Sequence, residues 1–453
     1  MKKSSIRILD DLWARTRDEA LSSSDESVAF LTAKCFETSE KIVFIAENLV
    51  PAKEKDYLYR SGVHLEISPL YTSRVLNIAE NKQSTVIMVH SHPFEKGVPQ
   101  YSPSDNHGEA LTSETISNNL AGNPPVGSLL IGQTKINART WIGSTKKRFS
   151  SSATILNGNK YWSSHAASKN SVNSILIDRQ VRAFGSDMQD AIESLDIGIV
   201  GLGGTGSIIA EQLARIGVKH LTIVDHDKFE PSNWSRLYGS TMADTKSKKS
   251  KVSLVSSYLG KISPELKITT IKASVMTNSV LKSLAACDII FSCLDRHAPR
   301  AVLNELSYQC LVPVIDVGVG LNKHTEGVLG GSIRATIIGP GLPCLFCQEI
   351  VRPEMITSEL LAPQEYEMRR VEGYASSAQD KEPSVITYTS LAGSFGMMLF
   401  LELMAGSGFN KYSTVLYDLG TKDSIKLRSS IKEECVCKKR LGKALSMPFS
   451  VAD

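Results

Sequence analysis

No charge of one sign dominates this sequence. Fifty-one lysines and arginines stand against 47 aspartates and glutamates, and a formal net charge of +4 is too weak to argue for nucleic acid or an anionic membrane as partner. Nor does any apolar run approach the roughly 20 residues of a membrane span. The basic start, MKKSSIRILDDLWARTRDEA, lacks the apolar stretch of a secretory signal, so a cytoplasmic location is expected. Cysteine is scarce, 8 in 453 residues, and in a reducing compartment that points to metal ligation or packing ahead of disulfides. No internal repeat is visible. What remains, 42% apolar and 22% charged, is the composition of a globular chain, long enough for more than one core.

Two domains are expected, both α/β. In residues 1–165, SVAFLTAKC, KIVFIAENLV and STVIMVH have the β-branched, apolar character of strands, and LYTSRVLNIAENK suits a helix. A last strand near Ile155 is followed by a Ser-, Lys- and Asn-rich stretch read as a linker over 166–177. From 178 to 453, strand-like runs (LDIGIV, HLTIVD, LKITTIK, CDIIFSCLD, VPVIDVG) alternate with helical ones, the pattern of βαβ units and a mostly parallel, Rossmann-like sheet.

The first chemical constellation is VIMVHSHPFEKGVPQYSPSDNHGE, residues 86–109. His90 and His92 are two apart at the end of a strand, so an extended chain projects both rings to one side. Asp105 can add an oxygen ligand. Three protein ligands leave the fourth position of a tetrahedral zinc ion open, which is the arrangement of catalytic sites. Glu26, heading the first predicted strand in SSDESVAFL, is the candidate general acid and base, and Ser102 the candidate donor to a developing oxyanion. His107 is a substitute ligand ranked below Asp105. A bare His-x-His at a strand end is usually only polar. What sets this one apart is the company of Pro93, Ser102-Pro103-Ser104-Asp105 and Glu26.

Together these residues resemble the JAMM/MPN metalloproteases, of cytidine-deaminase-like fold, which cleave peptide or isopeptide bonds after ubiquitin-like proteins. The likeness covers about the first third of the chain. The loop between His92 and Asp105 is longer than that family usually has, which enlarges the segment FEKGVPQY.

The second constellation is GLGGTG, residues 201–206. Gly201 permits the tight turn, Gly203 a close backbone approach and Gly206 packing of helix on strand, and the helix N-terminus then faces a phosphate. Asp225 and Asp227 follow the next strand, where a carboxylate can hold ribose. A dehydrogenase fits so far. Asn233, Arg236 and Lys251, brought in by VDHDKFEPSNWSRL and TKSKKSKV, suit a triphosphate better, and Asp295 is placed to hold Mg²⁺. ATP is therefore the expected nucleotide. Most lysines of the 246–251 run are read as a solvated face.

Residues 178–437 resemble the ThiF/MoeB/ubiquitin-activating superfamily. That resemblance implies adenylation of a protein's C-terminal carboxylate and a homodimer in which Arg179 crosses to the partner's ATP. It also implies a structural zinc on Cys344, Cys347, Cys435 and Cys437, the last two as Cys-x-Cys where the family more often has Cys-x-x-Cys. Enzymes of this kind that pass cargo on as a thioester usually carry a cysteine between the two pairs, and none occurs between Cys347 and Cys435. Residues 351–385 are expected to cross over the ATP site. Cys35, Cys287, Cys293 and Cys310 read as core.

Hydrolysis after a ubiquitin-like C-terminus yields a free carboxylate, and a free carboxylate is what adenylation consumes. One chain carrying both sites raises their effective concentration for each other. The expected partners are a ubiquitin-like protein and a conjugating-type enzyme, as in bacterial conjugation operons, some linked to phage defence. Sulfur-carrier activation in cofactor biosynthesis, with trimming of the carrier, is the alternative. A non-enzymatic adaptor is disfavoured because every expected ligand type is present.

Overall fold

Strand-forming runs set the frame. In the computed structural model the chain sorts into two compact units, one of Met1–Asn157, Tyr161–Ala166 and Gly442–Ser446, the other of Gly158–Lys160, Ala167–Leu441 and Met447–Asp453. The structure describes residues 2–449 apart from 63, 146, 158–159, 165–173, 323–329, 363, 367, 369–382, 407–411, 428 and 447. Most of the expected linker lies outside the described residues. Its last part opens a helix, α4 in chain order (Ser174–Phe184).

The first unit begins with β1 (Lys3–Leu9) and α1 (Asp10–Ala20), neither of which the sequence announced. Ser4, Ser5 and Arg7 are buried in β1, so its polar composition hid it, and α1 buries only Leu12, Thr16 and Ala20. There follow β2 (Val28–Glu37), β3 (Lys41–Pro51), β4 (Tyr57–Arg60), β5 (Leu65–Ile67), α2 (Pro69–Asn81), β6 (Thr85–Ser91) and α3 (Pro103–Asn119). The unit's strands end with β7 (Val126–Ile131), β8 (Ile136–Ile142), β9 (Lys147–Ser150), β10 (Ser152–Asn157) and β11 (Lys160–Ser164). Nine of them make a mixed sheet in the order β11-β10-β1-β3-β2-β6-β7-β8-β9. Both faces are apolar. Ala29, Leu31, Ile87 and Val89 pack with Leu12 of α1 on one side, while Phe30, Val86 and Met88 pack with Tyr71 and Val75 of α2 and Ile116 of α3 on the other. Near-continuous apolar runs in β2 and β6 follow from that double burial.

The second unit continues with α5 (Ser186–Ser194), β12 (Asp196–Val200), α6 (Gly204–Arg215), β13 (His220–Val224), α7 (Lys251–Ile262) and β14 (Lys267–Ile271). Next come α8 (Asn278–Ala285), β15 (Ile289–Ser292), α9 (His297–Gln309), β16 (Val314–Leu321), β17 (Gly331–Ile338) and α10 (Pro353–Leu360). A long helix, Ile386–Met404, precedes β18 (Thr414–Asp418) and β19 (Ser424–Leu427). The sheet runs β14-β13-β12-β15-β16-β17-β18-β19. Its first five strands are parallel, as expected, but β16 through β19 are antiparallel, so the sheet is half doubly wound and half meander. Chain order reverses about β12, and the crevice beyond the carboxyl ends of such strands is where ligands bind.

The helix Ile386–Met404 is long and apolar enough to cross a membrane, contrary to the expectation that no stretch comes close. Here its small residues seat it on the sheet. A Cβ on Gly393 would lie 2.5 Å from Ile208 Cγ2, and one on Gly396 2.8 Å from Val317 Cγ2. Gly393→Ala is therefore expected to cost about 1–3 kcal/mol in urea denaturation through overpacking. Met398→Ala, at a position 54% exposed, is expected to shift stability by less than about 0.5 kcal/mol.

Candidate functional site

Chemistry-bearing side chains cluster once in the first unit and twice in the second. In the first, β6 ends on Ser91, so His90 is its penultimate residue and His92 follows it directly. The amide of His92 donates to Ile131 O at 2.9 Å, which keeps the chain extended, and the two rings stand 4.8 Å apart, edge to face. Ser91, pointing the other way, is fully buried. Its Oγ accepts from Ser27 N at 2.9 Å and its N–H donates to Ser27 O at 3.0 Å, and this lock brings Glu26 beside the histidines.

Glu26 precedes β2 rather than heading the first strand, because β1 lies before it. Its Oε2 is 3.4 Å from His90 Nε2 and its Oε1 3.5 Å from His92 Nε2. Asp105 is the third residue of α3. Its Oδ1 is 3.7 Å from His90 Nδ1 and its Oδ2 3.5 Å from His92 Nε2. Atoms bound tetrahedrally at about 2.0–2.2 Å from one zinc ion lie roughly 3.3–3.6 Å from each other, which the two Glu26 contacts and the His92–Asp105 contact match. Glu26, His90 and His92 each offer a ligand atom within 4.8 Å of the others, whereas Asp105 reaches His90 only through Nδ1, the ring nitrogen turned away from Glu26. Glu26, His90 and His92 are all buried. For Asp105, burial works against ionisation, but the hydrogen bond from His92, the neighbouring His90 and two bonds from Ser102 hold the carboxyl at about 2. His92 also loses some basicity to burial, yet Asp105 and Glu95 raise it above the usual histidine range. A cage that favours a proton on His92 favours a cation generally.

Ser102 caps α3. Its Oγ accepts from Asp105 N at 3.1 Å while its own N–H donates to Asp105 Oδ2 at 2.6 Å, a reciprocal capping box that fixes the carboxylate. His107 is exposed on the same helix and lines the cavity, but Asp105 is the residue that meets both histidines. That cavity, about 430 Å³, is walled by Val28, Phe30, Met88 and Leu65 beside Glu26 and His90.

Sequence reasoning missed Glu95 and Glu109. Glu95 Oε1 sits 2.8 Å from His92 Nδ1 and its Oε2 accepts from Gln100 N, so the loop after β6 supplies a carboxylate that orients the His92 ring. Its signal was its place three residues beyond His92. Glu109, one turn beyond Asp105, accepts from Ser128 Oγ, Arg139 Nε and Trp141 Nε1 at 2.9, 2.8 and 2.8 Å, pinning α3 to β7 and β8. The Arg139 guanidinium lies 3.4 Å over the Tyr101 ring. The alternation of Arg139 and Trp141 along a strand was the available hint.

In the second unit the glycine turn joins β12 to α6. Gly201 has φ +89°, and a Cβ on it would meet Cys293 O at 2.6 Å. A Cβ on Gly206 would lie 1.9 Å from Gly201 O, so helix and turn interlock. Nothing stands within 4 Å of a Cβ on Gly203, which leaves that approach open to a ligand. Asp225, buried just past β13, accepts from Leu202 N at 2.7 Å and from Asp227 N at 2.8 Å, so it also braces the turn. Lys251 heads α7 with Nζ 2.6 Å from Asp227 and 3.9 Å from Asp225. Asn233 is buried and bonded to Glu230 N, and Arg236 donates to Ser232 O. Asp295 lies three residues past β15 and is exposed, as is Arg179 on α4. Residues 369–382 of the expected crossover are outside the described residues. Pro353–Leu360, within the same stretch, forms α10.

The four cysteines of the second unit do meet, buried with Tyr308. Cys344 Sγ is 3.6 Å from both Cys347 Sγ and Cys435 Sγ, far beyond a disulfide bond and close to the roughly 3.8 Å between thiolates sharing a zinc ion. Cys437 completes the group. Its thiol is bonded to Cys344, which draws Cys344 down and pushes Cys437 up, and Asn304 Nδ2 donates to its sulfur at 3.1 Å. The tighter Cys-x-Cys spacing is absorbed by a short helix, Val436–Arg440, starting between the two.

Comparison with known proteins bears on the second unit. Residues 177–418 match the ThiF family. The chain is 30% identical over 172 residues to the molybdopterin-synthase adenylyltransferase of Escherichia coli, covering 38% of this chain and 66% of that protein. It is 27% identical over 183 residues to the ubiquitin-like modifier-activating enzyme 5 of Culex quinquefasciatus, covering 38% of this chain and 43% of that one. It thus spans less than two thirds of either relative. The crystal structure of E. coli MccB with succinimide aligns with 58% of this chain and 74% of its own at 16% identity and a TM-score of 0.45.

If both clusters take zinc, Cys347→Ser is expected to remove one ion from the purified chain and His92→Ala the other, read by metal analysis. Glu95→Gln is expected to weaken zinc about 10–100-fold in competition with a chelating dye, because His92 loses its orienting carboxylate.

Proposed function

The chain belongs to the ThiF family, and on that premise we propose that its second unit adenylates the C-terminal carboxylate of a small ubiquitin-like or sulfur-carrier protein. A carboxylate oxygen attacks the α-phosphorus of ATP, the bond to the bridging oxygen breaks, and pyrophosphate leaves with that electron pair. Amides of the 201–206 turn and the start of α6 face the phosphates, Asp225 or Asp227 holds ribose, and Asn233, Arg236 and Lys251 spread the charge. Asp295 would hold Mg²⁺, which would draw charge from the phosphates. Support comes from the glycine turn, Asp225 and Asp295, which follow β12, β13 and β15 at the carboxyl ends of the parallel strands, and the interlocked Gly201 and Gly206 carry the reading. The exposed Arg179 is free to reach a second copy's nucleotide, which makes a homodimer part of the proposal. With no cysteine between Cys347 and Cys435, the acyl adenylate passes to an external nucleophile, such as the thiol of a conjugating-type partner.

For the first unit we propose a JAMM/MPN-type peptidase that cleaves after the same class of protein. The convergence of Glu26, His90, His92 and Asp105 supports it. The two histidines and Asp105 would hold a zinc ion, which would supply Lewis acidity and a more acidic attacking water. Glu26 takes that water's proton and returns it to the leaving amine, while Ser102 donates to the carbonyl oxygen. The product, a free C-terminal carboxylate, is the second unit's substrate.

Pyrophosphate exchange into ATP, stimulated by a small β-grasp protein, tests the first reading, and Asp295→Ala is expected to reduce it by about 10²-fold or more. Glu26→Gln is expected to retain zinc but lose about 10²–10⁴-fold in cleavage of a ubiquitin-like precursor. Sulfur-carrier and modifier substrates separate in the same exchange assay, since only the accepted carrier stimulates it.

A further inference from the structure

Across the carboxyl edge of the second sheet the functional groups follow strand order. Asp225 follows β13, the glycine turn follows β12 and Asp295 follows β15. One step further, over β16 and β17, lies a cluster that the reading above does not use. Asp316, in β16, is fully buried and accepts from Ser292 Oγ and from Arg334 Nη2, both at 2.6 Å. Arg334, on β17, also donates to Thr336 Oγ1 at 2.9 Å. Arg300 approaches from α9, its Nε 3.3 Å from Asp316 Oδ1 but without hydrogen-bond geometry. Among the described residues no other acceptor meets the Arg300 guanidinium, although only 12% of its side chain is exposed.

Two guanidiniums therefore share one carboxylate. Among the described residues the arrangement leaves a net positive charge, largely out of water, which is costly unless an anion completes it. Other acids nearby do not complete it: Glu359 is held by the amides of His297 and Ala298 at 2.8 Å each, capping α9, and Asp295 is exposed and forms no ion pair with Arg300. Gly318 leaves the notch open. A Cβ there would lie 3.1 Å from Arg300 Nη2 and 3.2 Å from Arg334 Nη2, so both terminal nitrogens border the same space.

We propose that Arg300 and Arg334 form an oxyanion subsite on the far side of Asp295 from the glycine turn, binding the carboxylate that is to be adenylated. This rests on the adenylation reading. The nucleotide and acyl-oxyanion sites then follow one another along the sheet edge, and the paired forks hold the nucleophile on the Asp295 side, where that residue would hold Mg²⁺.

Calorimetric titration of the full chain tests it. The ligands are MgATP, inorganic sulfate, and acetyl-Ala-Gly-Gly ending in a carboxylate or a carboxamide. The parent is expected to prefer the carboxylate peptide about tenfold, and Arg300→Gln to erase that preference while MgATP affinity moves less than about threefold. A loss of about tenfold for MgATP, in a parent that shows no peptide preference, assigns the subsite to a nucleotide phosphate, the other source of the same chemistry. Should Arg300→Gln melt early, Gly318→Ala, which fills the notch, is read in its place. A variant that melts like the parent and binds sulfate, peptide and MgATP as the parent does overturns the subsite. A parent that binds no MgATP sinks adenylation, yet the comparison of carboxylate with carboxamide still decides the subsite.

Discussion

A charge withdrawn from water has to be met by an opposite one, and the chemistry of this chain sits where the protein meets that demand only in part. In the first unit, Glu26, Asp105 and Glu95 surround two histidines, an excess of carboxylate that asks for a cation. In the second, among the described residues, Arg300 and Arg334 share the single carboxylate of Asp316, an excess of guanidinium open to an anion. The Glu109 and Arg139 pair shows the contrasting, closed case. There a carboxylate, a guanidinium, an indole N–H and a hydroxyl satisfy one another, and the group holds structure in place.

Much of this was legible in the sequence where chemistry and local pattern coincide. His90, His92 and Asp105 sit within one strand-loop-helix segment, and Gly201 and Gly206 are demanded by a turn whose backbone tolerates no Cβ. The four cysteines come in two close-spaced pairs. The apolar runs of β2, β3, β6, β12 and β15 announced themselves because those strands are buried on both faces.

What escaped reading depends on distant parts of the chain. β1 pairs with β3 and β10 through residues that include buried serines and Arg7, so nothing in KSSIRIL marks it as a central strand. The antiparallel half of the second sheet follows from pairing over long separations, such as Arg334 opposite Leu416, which no local period encodes. Glu95 and Arg300 look like ordinary surface residues until the fold brings His92 and Asp316 against them. Ser102 was read for its hydroxyl proton, whereas its visible work is to start a helix.

That last arrangement complicates the genetics of the first unit. The oxygen of Asp105 that faces His92 is also the one that accepts the Ser102 amide, so a single carboxylate both lines the cage and begins α3. A substitution that removes this carboxylate also lets the first turn fray, and with it the neighbouring wall of the cavity. An inactive Asp105 mutant is thus ambiguous as evidence for a metal, whereas the histidines, bound to no such second duty, give the cleaner lesion.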